Sequence, residues 1–586
     1  MPAPLPLGAR SPLPALASLL ASALLAGCAT GVATDGRLQR LTSAGPVVGV
    51  DSTATDGTSS WKGVPFAAPP IGALRWLAPA APAAWTQPRP TDRFAAACVQ
   101  TGRLYGPGSN NRFDATIGTT LGQTLGAEDC LYLNIWQPAR PTGPRPVIVF
   151  VHGGSNITGY TADPLYDGAA LARAAGAVVV TVNYRLGIFG FLDLPALKTG
   201  NPLDDSGNFA LLDIVKALEF VQADIANFGG DPKRVTLMGQ SAGAVNVYAL
   251  LASPLVAARA QPLFHRVVGL SGGISSAASL PPGAIPGVLP RPVWTARGQA
   301  LLEQSLVAGG AAPDPAAAAT LARGRTPADN AAFLRATSAD ALLTTVRSRL
   351  APLGMAASNP IPDGTVVAAD PIAAIRAGRY TRVPVLAGIT RDETKLFPQL
   401  LAIRPALGGV SGRLLDDAAV FRIAHGYDPE APPATRIEDW VPAAYLPADR
   451  PVTGFDARTR ELNRLWFEAI RDDVLNALRT QQDAVWGYRF DWDALPAPFD
   501  TLFGAAHTFD LPFVFGNFGP SLYARISFTR GNEPGRLALS QAMMQSLGAF
   551  AASGDPNAPA LGTRWPAWPG RLVLDADRTQ ATIRAE

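Results

Sequence analysis

The sequence predicts an α/β fold, a central and mostly parallel sheet flanked by helices. Three observations carry that expectation. First, Pro146-Val147-Ile148-Val149-Phe150-Val151 and Ala177-Val178-Val179-Val180-Thr181-Val182 are continuous apolar runs of the kind buried on both faces of a parallel sheet. Second, residues 208–228 place Leu211, Val215, Leu218, Val221 and Ile225 three and four apart, which lines up one helix face. Third, Gly229-Gly230 and Asp231-Pro232 stop that helix and turn the chain into a further strand, 234–238. Strand, helix and strand in this order imply parallel pairing.

Composition sets the outer limits. The chain has 586 residues, 48% hydrophobic and 16% charged, enough to build a large core and too apolar for global disorder. Gly 57 and Pro 54 imply many loops between short elements. A net charge of +3 without a block of Lys or Arg gives nucleic-acid binding no electrostatic support.

The chain opens with a targeting segment. Arg10 supplies a sparse basic region, and residues 13–26 form an apolar stretch too short to span a bilayer comfortably. It ends in Leu25-Ala26-Gly27-Cys28, which resembles the lipobox of bacterial lipoproteins, where the cysteine is lipidated and becomes the first mature residue. The simpler alternative is an ordinary secretory signal. The expected organisation is a signal peptide over 1–27, a small and polar tether over 28–46, and one domain over 47–586. The expected location is the periplasm or outer membrane, with contact to membrane only through that anchor, or secretion as a soluble protein. With Cys28 assigned to lipid, only Cys98 and Cys130 remain. In an oxidising compartment they can pair, with two buried free thiols as the alternative.

The candidate centre is Gly239-Gln240-Ser241-Ala242-Gly243. An apolar strand precedes it, and residues 242–252, free of proline and rich in Ala, Val and Leu, read as a helix. Strand, G-x-S-x-G, helix is the context of a nucleophile elbow. Gly269-Leu270-Ser271-Gly272-Gly273 also matches the pattern, but Pro281-Pro282 follows and no strong helix opens there, so Ser271 is read as structural.

Several stretches then resemble one family. Trp61-Lys62-Gly63-Val64-Pro65-Phe66-Ala67-Ala68-Pro69-Pro70 with Leu74-Arg75-Trp76, Glu128-Asp129-Cys130-Leu131-Tyr132-Leu133-Asn134, and Asn183-Tyr184-Arg185-Leu186-Gly187 are similar to the type-B carboxylesterases, a family that includes the cholinesterases. The resemblance implies an α/β-hydrolase fold whose helical insertions wall a substrate gorge, and the Pro- and Ala-rich stretch 281–350 is expected to be such an insertion. It also implies the Cys98–Cys130 bond. His152-Gly153-Gly154-Ser155-Asn156 resembles the family's oxyanion turn, which makes the N–H groups of Gly154, Ser155 and Ala242 the candidate donors. Here Ser155-Asn156 stand where relatives commonly carry glycine and an aromatic, so Ser155 donates only if its torsions permit.

A serine nucleophile needs a base and an orienting acid, in the chain order Ser, acid, His for this fold. After Ser241 come His265, His425 and His507; Gly504-Ala505-Ala506-His507-Thr508-Phe509-Asp510 resembles the family's histidine loop, which points to His507. Residues 383–388 read as a strand leading to Asp392-Glu393. Chemistry alone does not choose between these two acids; the family uses the second, Glu393. The implied activity is hydrolysis of small-molecule carboxylic esters through an acyl-enzyme, with no metal or organic cofactor. Alternatives are the same machinery on amide, carbamate or thioester bonds, acyl transfer to an alcohol, and a non-catalytic cholinesterase-like binding protein. Gln240, where many relatives have glutamate, weighs against a cationic substrate.

Overall fold

The computed structural model describes residues 38–139, 143–403, 407, 409–522 and 524–586; the signal peptide and Cys28 lie outside them. The centre is an 11-stranded sheet. In chain order its strands are β1 (Val50–Ser52), β2 (Thr58–Pro65), β3 (Tyr132–Pro138), β4 (Arg145–Val151), β5 (Val178–Val182), β6 (Gly230–Gln240), β7 (Arg266–Leu270), β8 (Val385–Thr390), β9 (Val485–Phe490), β10 (Arg571–Leu574) and β11 (Arg584–Ala585). Across the sheet the order is β11-β10-β9-β8-β7-β6-β4-β5-β3-β2-β1. Every neighbouring pair from β10 to β5 is parallel, and the antiparallel pairs sit at the two margins.

The apolar runs become central strands because both of their faces are covered. On β4, Val147, Val149 and Val151 enter one core, while Ile148 and Phe150 enter the other. The first core holds α1 (Phe209–Asp224) and α2 (Ala242–Leu251). The second holds the long C-terminal helix Glu533–Ser553. The helical spacing read over 208–228 matches α1, followed by a short tight turn over Ile225–Phe228.

One expectation needs correction. The packed domain begins before Val47: Gln39–Leu41 pairs antiparallel with Pro46–Val48, and Ser43 bonds both oxygens of Asp224 at 2.7 and 2.8 Å. Small polar composition over 38–46 therefore reflects an edge hairpin and not a tether. The stretch 281–350 is indeed helical from Arg291 onward, through Arg291–Ala308, Pro315–Gly324, Pro327–Ala336 and Ala339–Thr345. These helices form a third core with Trp76, Phe189 and Leu192. Arg75 ties them down, since its guanidinium grips Glu128 through two hydrogen bonds (2.7 and 2.5 Å) and donates to the Thr337 carbonyl at 2.7 Å.

Cys98 and Cys130 form a disulfide, with Cα atoms 4.9 Å apart and a sequence separation of 32. Both are buried. Replacing both by alanine is expected to lower the unfolding free energy by about 3–4 kcal/mol, the loop-closure value for this separation. Guanidinium unfolding of the oxidised protein and the variant measures it; a loss below about 1 kcal/mol would show that loop closure contributes little.

Candidate active site

The parallel register brings the C-terminal ends of four strands level. Gly239 pairs with Val151 and with Gly269, Gln240 with Leu270, and Leu270 with Gly388. Loops leaving β4, β6, β7 and β8 therefore start from one line, where this architecture places ligands.

At the end of β6, Ser241 takes φ 56° and ψ −123°, a strained conformation for a non-glycine residue, and α2 begins at the next residue. The turn is tight enough that flanking side chains have no room. A Cβ on Gly239 would strike the Gly243 carbonyl, and one on Gly243 would strike the Val151 carbonyl of β4. Ser271 ends β7 in a similar torsion (φ 55°), but it is fully buried, lacks a hydrogen-bond partner for its hydroxyl, and no helix follows.

Beyond β4, His152 is buried and its Nδ1 lies 2.9 Å from the Gly153 carbonyl, so that nitrogen carries the proton. Burial pushes its pKa down to about 4, which keeps the ring neutral where it stacks on Tyr184 at 4.6 Å. The turn then passes through Gly154 (φ 102°), Ser155 (φ 56°) and Asn156 (φ 57°). A Cβ on Gly154 would strike the Thr158 carbonyl. Ser155 adopts the left-handed torsion that glycine would take more cheaply, so the substitution leaves the N–H in the same turn. Among the described residues, the N–H groups of Gly154 and Ser155 meet no protein acceptor. Ala242 opens α2, where the first N–H groups have no intrahelical partner.

β8 delivers the acid. Glu393 is fully buried; one oxygen accepts from the Thr390 N–H at 2.8 Å and the other makes a very short contact with Nδ1 of His507. Asp392, its neighbour, turns the other way, pairing with Arg391 at 2.9 Å and accepting from the Ala505 N–H at 3.1 Å. The structure thus separates two acids that chemistry alone left equivalent: Glu393 touches the imidazole, and Asp392 pins the loop that carries it. Nε2 of His507 faces the Gln240 side-chain nitrogen at 3.2 Å, so an amide N–H is directed at the imidazole lone pair. Phe397 and Phe467 flank the ring at 5.1 and 5.0 Å.

Ser241, His507, Gly154 and Ser155 all line one cleft, with about 1330 Å³ of empty space including its open mouth. Its remaining walls come from Arg103 and Tyr105, from Asp163 to Tyr166, and from the segment between β8 and β9, which supplies Leu396, Phe397, Arg413, Asp417 and Trp466. The helical insertion beside the serine is this one, whereas residues 281–350 contribute nothing to the lining. Sequence reasoning did not single out Phe397, Trp466 or Phe467, because no local pattern marks an aromatic as facing a cleft. Asp510 carried a signal, lying three residues after His507 within the same motif.

The carboxylesterase family model matches residues 37–581. The chain belongs to the carboxylesterase family. It is 32% identical to the fumonisin B1 esterase of Sphingopyxis macrogoltabida over 542 residues, covering 91% of this chain and 85% of that one. It is 30% identical to the para-nitrobenzyl esterase of Bacillus subtilis over 535 residues, covering 90% and 94%. Among solved structures, a PNB esterase superposes with a TM-score of 0.68 at 26% identity, covering 93% of this chain and 97% of that one. A carboxylesterase of Geobacillus stearothermophilus gives 0.65 at 28%, covering 94% and 98%. The fold is the α/β-hydrolase fold, and the protein is a carboxylesterase acting on carboxylic esters.

One buried acid beside the site has a measurable signature. Asp510 is fully buried, accepts from the Tyr488 hydroxyl at 2.8 Å, and has its second oxygen unpaired. Burial, reinforced by the nearby Glu393 charge, pushes its pKa up to about 6 from an ordinary 3.8. Between those values the folded state holds more protons than the unfolded, so this group's contribution to stability falls as pH rises through that window and stays lost above it. Asp510→Asn is expected to raise stability by up to about 3 kcal/mol above pH 6, the gain fading towards pH 4. Paired denaturation of wild type and variant at pH 4 and pH 8 checks this; equal gains at both, or none at pH 8, would reject it.

Proposed function

We propose that this carboxylesterase works through an acyl-enzyme on Ser241, with His507 as base and Glu393 as the orienting acid. The observation that carries the reading is the convergence in one cleft of an elbow serine, a carboxylate-bound histidine and two N–H groups without a protein acceptor. With Nδ1 bound to Glu393, the His507 lone pair lies on Nε2, where it can take the Ser241 proton as the hydroxyl attacks the ester carbonyl. In the resting arrangement the Gln240 amide occupies that lone pair, and the serine displaces it to react. The oxyanion is held by the N–H groups of Gly154, Ser155 and Ala242, each such donor worth about 3–4 kcal/mol in the transition state. The alcohol departs with the proton from His507, and water then attacks the acyl-enzyme by the same route. Glu393 holds the imidazole tautomer and stabilises the cation formed midway.

The charges lining the cleft balance, which favours neutral substrates. Gln240 is uncharged, Asp417 is paired with Arg413 at 2.5 Å, and Arg103 lines the cleft with no acidic partner among the described residues. Asp163, also in the lining, caps a short turn by accepting from the Leu165 N–H; burial pushes its carboxyl up to about 6, so near pH 7 it still carries a negative charge that offsets Arg103. Hydrolysis of p-nitrophenyl esters from acetate to palmitate, with wild type beside Ser241→Ala, tests the mechanism. Activity is expected to fall to the uncatalysed level in the variant; an active Ser241→Ala would remove Ser241 from the mechanism.

We also propose export as a lipoprotein anchored through Cys28, with the Cys98–Cys130 bond suiting an oxidising compartment. No helix among the described residues is long and apolar enough to cross a membrane. Palmitate labelling in cells is expected for wild type and lost in Cys28→Ser; equal incorporation in both would discard the anchor.

A further inference from the structure

Asn156 stands where relatives of the family commonly carry an aromatic, and it is fully buried, in a left-handed torsion (φ 57°), immediately after the proposed oxyanion donors. A buried amide in such a place must find partners, and it finds them on the nucleophile's own helix. Asn246, also fully buried on α2, donates to the Asn156 side-chain oxygen at 2.8 Å, and Asn156 donates back to the Asn246 oxygen at 3.3 Å. Tyr184 approaches the same oxygen at 3.3 Å while donating to the His152 carbonyl at 2.7 Å. The Asn156 carbonyl accepts from the Gly187 N–H at 2.6 Å. Both ends of the oxyanion turn are thus held, and one hold is a reciprocal amide pair to α2.

We propose that Asn156 and Asn246 are positioning residues that set the oxyanion donors against one another. The reading rests on the mechanism proposed above. Two donors, Gly154 and Ser155, sit on the turn after β4; the third, Ala242, opens α2. These two elements are separate in sequence, and a transition-state oxygen is bound well only if the spacing between them is right to a fraction of an ångström. The amide pair fastens one to the other across 90 residues of sequence. Its effect is on the oxyanion, which forms only on the way to the intermediate, so losing it should cost kcat and leave ground-state binding alone.

Asn246→Leu keeps the branched side-chain shape, with somewhat bulkier methyl groups, and removes the pair. It is expected to lower kcat about 100-fold, the order of effect of a small misplacement, with KM within about twofold. Affinity for a trifluoromethyl ketone, which becomes an oxyanion when Ser241 adds to it, should fall by a similar factor. Asn156→Ala, which also removes the contacts with Tyr184 and Asn359, should lower kcat at least as much, and the double variant should be no slower than Asn156→Ala alone, because the Asn246 substitution then has no link left to break. A purely structural role would lower the melting temperature while leaving kcat and inhibitor affinity within about twofold, and that result would overturn the proposal. Independent, multiplying losses in the double variant would overturn it too. If Asn156→Ala does not fold, Asn246→Leu and Asn246→Asp carry the test through kcat and inhibitor affinity. Dependence of wild-type turnover on Ser241 is read separately, so failure here leaves the parent mechanism standing.

Discussion

The whole site depends on one close approach, that of the β6–α2 turn to the end of β4. Gly243 touches the Val151 carbonyl, and Gly239 touches the Gly243 carbonyl, with no space for a methyl group at either. Because β4 and β6 are adjacent and in register, that contact sets Ser241 and the Gly154-Ser155 turn side by side. β7 and β8 follow in the same register and bring the carboxylate in from the other side. A shift of one residue in any of these ladders would reverse the faces of a strand and carry its loop away from the centre.

Placing ionisable groups in so dry a setting is costly unless each is answered by a partner. Glu393 is answered twice, by the Thr390 N–H and by the imidazole. Asp213, fully buried on α1, is held by Arg185 through two bonds of 2.7 and 2.8 Å. That pair fastens the Asn183-Tyr184-Arg185 segment to α1, and Tyr184 in turn supports the His152 carbonyl at the start of the Gly153-Gly154-Ser155 turn. Asp510 is answered on one oxygen only, by the Tyr488 hydroxyl, and burial with the nearby Glu393 charge raises its pKa. Two buried acids close to the same histidine thus differ in what they are given, and only Glu393 reaches the ring.

How much of this was legible in the sequence follows from what is local. Central strands were readable because burial on both faces demands unbroken apolar runs, and the elbow because glycine is required on both sides of Ser241. Asp392 and Glu393 could not be told apart by chemistry, since their directions depend on how the strand end turns and on Arg391, Ala505 and His507 from elsewhere. The hairpin over 39–48 was misread because an edge strand needs little hydrophobicity. Which insertion walls the cleft was also out of reach: residues 281–350 and the segment between β8 and β9 are both helical with apolar faces, and only their packing against Trp76 and Phe189, or against His507, assigns their places.

The two G-x-S-x-G stretches show what the pattern by itself leaves open. Ser241 and Ser271 end neighbouring strands at the same level, and both adopt a φ near +55°. Strain at the serine is therefore common to both and cannot be what makes a nucleophile. What differs is the chain that follows. After Ser241, α2 starts at once, leaves its first N–H groups free, and keeps the hydroxyl side open to the cleft. After Ser271 the backbone runs on without a helix, Gly272 packs against the Ser241 carbonyl, and the hydroxyl is sealed in the core without a partner. Ser155, Asn156 and Thr508 share the left-handed torsion at this same end of the sheet, so backbone strain gathers around the cleft. It persists because the ladders beneath and the buried amides of Asn156 and Asn246 over-determine the backbone there, leaving the walls of the cleft little freedom to rearrange.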